Sequence, residues 1–282
     1  MIYHRASLSF DLLGLIRTPS YGVGNLLLPI SRSLIGAKEK GHFVYPTFPQ
    51  LKIGTFIRNE PDKRIYLNLF RGRTPSEWGK YFRSYAVKQI AEEKFDLNNN
   101  NDDVSSCIVY KGMKNYFHDI FNEKNYIKNW ITDSYKKKKI RFDCQKNLIS
   151  KISVHVRLGD FSINKTGSNE TTYQIPKKWY LESIEYISKK HNITNDDVTV
   201  YSDTTTLFIR DWLGNKNYKY IGADIQSPIE SMLLASRSNY FIGSRSTFSM
   251  WIAFFSDGIC YWDSGFKLNK FFPERFENDF KV

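Results

Sequence analysis

The second half of this chain switches repeatedly between two hydrophobic periods, and that switching limits its fold more than any other feature. Short β-branched and aromatic runs occur at 152–156, 198–201, 218–221, 240–242 and 259–262. Segments of helical length lie between them, at 177–190, 205–213, 228–236 and 247–255. In the first of these, apolar residues recur at Trp179, Tyr180, Ile184 and Ile187, the spacing of one helix face. Strands joined by helices are not hairpins, so the pattern predicts βαβ units and a parallel sheet.

A parallel sheet of this kind binds ligands at the carboxyl ends of its strands. The first run ends in "HVRLGD", Ser202 and Asp203 close the second, and "GSRSTFS" follows the fourth. Three strands that each deliver polar groups to one edge predict a site there. Arg157 offers a planar fork of donors suited to phosphate and stays charged at physiological pH, or it pairs with a carboxylate such as Asp160 or Asp203. Ser246, Thr247 and Ser249 stand at a helix start, where main-chain N–H groups and the helix dipole favour an anion and where Ser or Thr is also the ordinary cap. Glu230 in "SPIE" completes a capping box with Pro228 in the first turn, or serves as an acid that reads the N–H edge of a nucleobase. Arg157 and the helix start, facing each other, would clamp a phosphate or pyrophosphate.

The first half is less regular. It reads as a strand near 8–16, a loop "RTPSYGVGN", and an apolar-periodic stretch over 26–40 that stops at Gly41. Within "YGVGN", Gly22 and Gly24 permit close approach of a ligand to the backbone, and Asn25 could hydrogen-bond it; the stretch is neither GxGxxG nor a P-loop. "DLNNNNDDVSS" (96–106) reads as an exposed loop. These features divide the chain into an amino-terminal lobe, 1–148, and a carboxyl-terminal lobe, 149–282. No HExxH, DxD or Ser-His-Asp spacing is present, so no metal or serine triad is indicated.

Charge bears on the partner. The net charge of +12 predicts an acidic one: nucleic acid, an anionic membrane face or a phosphorylated small molecule. "YKKKKIRF" (135–142) is a solvated face or a membrane-surface patch. Nucleic acid is the weaker choice, because no aromatic-interleaved basic face or RNA-binding motif occurs. Cys107, Cys144 and Cys260 are scattered without metal-ligand spacing, and no apolar run of about 18 residues or signal-peptide pattern is seen. The expectation is a cytoplasmic protein that rests, if anywhere, on a membrane surface.

"HVRLGD" resembles the HxRxGD motif of the GDP-fucose-dependent fucosyltransferases, a superfamily that includes bacterial α-1,2-fucosyltransferases. "YGVGN" is similar to that family's amino-terminal GxGN loop, "VYSD" to its SDD motif, and "ESMLLASRSNYFIGSRSTFSMWIAFF" to its DxxLMS helix, strand and NSTFSWW stretch. The resemblance implies a GT-B-like fold of two Rossmann-type lobes, with the donor held mainly by the carboxyl-terminal one. It implies an inverting, metal-independent enzyme that needs no cofactor beyond its donor substrate, GDP-fucose. The implied acceptor is a glycan, or its lipid-linked precursor at the inner membrane face, in bacterial polysaccharide synthesis. Carried onto this sequence, Arg157 meets the β-phosphate, His155 lines the nucleotide pocket, and Asp203 belongs to the donor site. Glu230 recognises guanine, Ser246, Thr247 and Ser249 bind phosphates, and Gly24 and Asn25 approach from the other lobe. Asp160 and Glu170 are the candidate general bases. The chain departs from the pattern at Leu26, Leu158, Thr204 and Glu230, and "GSRSTFSMW" carries an extra residue. A transferase for another nucleotide sugar, or a relative that only binds, fits the same motifs.

Overall fold

The computed structural model describes residues 1–7, 10–12, 16–18, 22–46, 69–70, 73–95, 105–136, 150–158, 175–273 and 280–281. The chain divides into two compact units, Met1–Lys139 and Ile140–Val282. That division and the expected boundary at 148/149 both fall within 137–149, outside the described residues.

The first unit opens with β1 (Ile2–Ser7), followed by an antiparallel pair, β2 (Phe10–Leu12) and β3 (Ile16–Thr18). The single strand expected over 8–16 is therefore replaced by a longer strand before it and two short ones. The reason is compositional. β1 interleaves His4, Arg5 and Ser7 with apolar residues, which dilutes its signal, yet all six of its residues are buried. Next come α1 (Val23–Glu39), β4 (His42–Phe43), α2 (Pro75–Ala86), β5 (Lys88–Ala91), β6 (Ser106–Lys111) and α3 (Lys124–Lys136). The sheet order is β4–β1–β6–β5, parallel throughout. α1 starts earlier than the periodicity suggests, so Gly24 and Asn25 occupy its first turn rather than a loop. It ends at Glu39, and Gly41 turns the chain with φ +117°, a conformation glycine adopts without strain.

Two buried polar groups lock this unit. His4 donates from Nε2 to the Lys40 carbonyl (2.6 Å) and accepts at Nδ1 from the Tyr110 hydroxyl (2.8 Å). Burial lowers its pKa to about 4, only partly opposed by the Lys40 bond, so the ring is neutral near pH 7. Arg32 pairs with Glu92 (2.9 Å) and donates to the carbonyls of Lys111, at the end of β6, and of Gly112 and Lys114 just beyond it.

The second unit follows the alternation read from sequence. Its elements are β7 (Ile152–Val156), α4 (Lys177–His191), β8 (Val198–Ser202), α5 (Thr206–Trp212), β9 (Lys219–Ile221), α6 (Pro228–Ala235), β10 (Tyr240–Ile242), α7 (Thr247–Phe255), β11 (Ile259–Trp262) and β12 (Phe280–Lys281). The order is β12–β11–β10–β7–β8–β9, with every pair parallel. Along β7, Ile152, Val154 and Val156 join Tyr180, Ile184 and Ile187 of α4 in one core cluster. Ser153 and His155 alternate with them and project to the opposite face. There α7 is apolar on all sides and buried from Ser249 to Phe255. Each large side chain so buried contributes roughly 1.5–3 kcal/mol.

Chain order and sheet order differ in a way that creates a site. The chain starts at the centre with β7, steps outward through β8 and β9, and then returns to β10 on the other side of β7. The connections after β7 and β10 leave in opposite directions, and this reversal opens a crevice beyond their carboxyl ends. Both units are thus parallel α/β structures. Among the described residues, no helix is long and apolar enough to cross a membrane.

Candidate functional site

The three strand ends singled out from sequence belong to β10, β7 and β8, which are neighbours in that order. His155 is the penultimate residue of β7 and is 4% exposed. Its Nδ1 lies 2.6 Å from the Ser249 hydroxyl and 3.1 Å from that of Ser244, and its ring packs against Phe248 with centroids 4.8 Å apart. Burial lowers its pKa to about 3; Asp203 opposes that shift and Arg157 adds to it. The ring is therefore a neutral hydrogen-bonding group at physiological pH, and this strand end gives it no role as an acid.

Arg157 stands one residue beyond β7, and Asp203 one residue beyond β8. Arg157 Nη1 lies 3.0 Å from Asp203 Oδ2, with side-chain exposures of 19% and 14%. The other oxygen of Asp203 accepts the Leu158 main-chain N–H at 2.9 Å. One carboxylate thus fixes both the guanidinium and the chain that carries it. Of the pairings open to Arg157 in the sequence, the one with Asp203 is present, and Asp160 lies outside the described residues.

The start of α7 is built from hydroxyls. Ser246 is its N-cap, accepting the Ser249 N–H at 3.2 Å. Ser249 accepts the Ser244 N–H at 3.0 Å, and its hydroxyl lies 2.9 Å from that of Ser244. Thr247 is the first helical residue. The capping reading holds, with Ser246 as the cap, and the cap lies beside His155 at the switch point. Glu230 is the third residue of α6, 6% exposed, and its N–H donates to the Ser227 hydroxyl at 3.3 Å, the N-cap half of the expected capping box. Its charge reaches Tyr201 on β8, whose phenol is pushed up mainly by burial, eased by Ser153 and raised further by Glu230.

Arg157, His155, Asp203, Ser246, Thr247 and Ser249 are thus brought to one sheet edge, with Glu230 at the start of a helix after β9. Gly24 and Asn25 lie in the other unit, on the first turn of α1. Asp160 and Glu170 lie outside the described residues, as do Cys144 and most of "YKKKKIRF". One pair at the edge went unread in the sequence. Arg245, three residues beyond β10, binds Asp263, one residue beyond β11, through Nε (2.9 Å) and Nη2. Applying the strand-end rule to the fifth run as well as the first, second and fourth would have found Asp263.

A parallel sheet whose switch point holds a guanidinium, a neutral imidazole and a hydroxyl-rich helix start has the anion-binding edge of nucleotide-binding α/β proteins. The chain matches the sequence profile of glycosyl transferase family 11 over residues 64–261, and it belongs to that family, the fucosyltransferase family its motifs resemble. No curated protein sequence matches it. Among solved structures it is similar to POFUT1 in complex with GDP, at 18% identity over 44% of this chain and 46% of that one, with a TM-score of 0.33. It is also similar to POFUT1 in complex with GDP-fucose, at 17% identity over 43% of each chain and a TM-score of 0.31. A further structure of POFUT1 with GDP aligns over 90% of this chain and 95% of that one, at 14% identity and a TM-score of 0.47. The first two alignments span less than half of the solved chains.

Proposed function

We propose that this protein transfers fucose from GDP-fucose to a sugar hydroxyl of a surface glycan or its lipid-linked precursor, with inversion and without a metal ion. The observation that carries the reading is the adjacency of β10, β7 and β8, whose carboxyl ends gather Arg157, the His155–Ser249 cluster and the start of α7 at one switch point. As the sugar departs, negative charge develops on the β-phosphate. Arg157, held in place by Asp203, answers that charge with donors that need no reorganisation. The N–H groups at the start of α7 add a second source of positive potential. His155 contributes a neutral polar wall. Glu230 reads the N–H edge of guanine. The acceptor is activated by a carboxylate, Asp160 or Glu170.

Calorimetric titration with GDP and, separately, UDP tests this reading. GDP is expected to bind in preference to UDP, and Arg157→Ala to weaken GDP roughly ten- to hundredfold, the worth of a hydrogen bond to a charged group. No GDP binding, a preference for UDP, or an Arg157→Ala variant that binds GDP as the wild type does would overturn it.

A further inference from the structure

The carboxyl edge of the second unit carries two arginine–aspartate pairs, and the donor reading uses only one. Arg157 of β7 pairs with Asp203 of β8; Arg245 of the β10 loop pairs with Asp263 at the end of β11. In sheet order the pairs occupy β11–β10 and β7–β8, on either side of the His155–Ser249 cluster. Their side-chain exposures nearly match, 24% and 14% against 19% and 14%. We propose that Arg245, aimed by Asp263, is a second cation for the donor diphosphate, gripping it across the start of α7 from Arg157. This inference rests on the nucleotide-sugar reading of the same site.

Three features favour a ligand over a purely structural ion pair. First, the orientation is specific. Arg245 turns Nε and Nη2 to Oδ1 of Asp263, while Nη1 has no protein acceptor among the described residues. The Gly265 N–H donates to the same Oδ1 at 3.1 Å, which steadies the carboxylate. Gly265 also leaves room for the fork, since a Cβ there would sit 2.6 Å from Nη2. Second, the two arginines follow adjacent strands, β7 and β10, so both stand at one sheet edge. Third, the charge balance asks for it. Each pair is neutral as a unit, and a diphosphate brings several negative charges. One fork and a helix start meet that load poorly; two forks on either side of the helix start meet it well.

Calorimetric titration with GDP, together with displacement of GDP by guanosine, separates a phosphate contact from general damage to the site. Arg245→Gln is expected to weaken GDP roughly tenfold or more while leaving guanosine unchanged, and Arg245→Lys, which keeps charge but loses the fork, to fall between. If Arg245→Gln lowers the melting temperature markedly, Gly265→Ala is the second variant. It displaces the guanidinium without removing its charge, and the same selective loss of GDP is expected. Unchanged GDP affinity in these variants, or equal losses for GDP and guanosine, would overturn the inference even when Arg157→Ala behaves as expected. A wild-type protein that binds no GDP would overturn the donor reading, and this inference with it.

Discussion

Glu230 takes part in capping α6 and is proposed to read guanine, two roles that a single substitution pulls apart. Its main-chain N–H serves the cap on α6 by donating to Ser227, and its carboxylate is the group assigned to guanine. Glu230→Gln keeps the N–H and the side-chain shape but replaces an acceptor-only group with one that also donates. The expected outcome is an intact helix and a GDP-over-UDP preference reduced by roughly tenfold or more, read by titration with both nucleotides. An unchanged preference would return Glu230 to capping alone. At this scale the sequence was informative wherever a residue follows directly from a β-rich run, as His155, Arg157 and Asp203 do. Partnership was not legible. That Arg157 meets Asp203 depends on β8 lying beside β7, a matter of sheet order that no local pattern carries.

The connection from β10 to α7 is where packing and site geometry meet. Gly243 lies against the Trp262 ring, and a Cβ there would come 2.6 Å from Cζ3 and 2.8 Å from Cη2. Trp262 cannot withdraw easily: it is 2% exposed, stacked on Phe266 and edge-on to Phe241. Gly243→Ala should therefore cost roughly 1–3 kcal/mol of stability. It should also shift Ser244 and the start of α7, lowering GDP affinity together with the urea midpoint. A variant with wild-type stability would show that the ring gives way. Elements of the second unit were legible because apolar strands and amphipathic helices alternate cleanly there. β1 was not, because its buried His4, Arg5 and Ser7 imitate a surface strand until the His4–Tyr110 bond and the other partners are seen.

The whole chain carries a charge of +12, yet the ion pairs at its candidate site are each neutral. The excess lies elsewhere, so composition points to an acidic partner without locating where it binds. Stability should respond to pH through two buried imidazoles, one in each unit. Their folded pKa values, about 4 for His4 and about 3 for His155, lie below the 6.5 of an exposed ring. As pH falls below about 6.5, the unfolded chain takes up protons that the folded chain refuses. The stabilisation is complete above that pH and is lost progressively towards pH 4 for His4 and pH 3 for His155. The slope is at most on the order of 1.4 kcal/mol per pH unit for each ring. Thermal midpoints should fall between pH 7 and 5, before most carboxylates titrate; a flat profile there would contradict the burial of these two rings.

The order in which the six-stranded sheet is assembled has a consequence in time. β7 carries the arginine and the imidazole, but its neighbour on one side, β10, lies more than eighty residues further along the chain. A ribosome that has released only the first three strands of this unit has delivered half of a clamp. The motif most visible in the sequence becomes useful only when the chain doubles back, so the site is completed well after its first strand has left the ribosome.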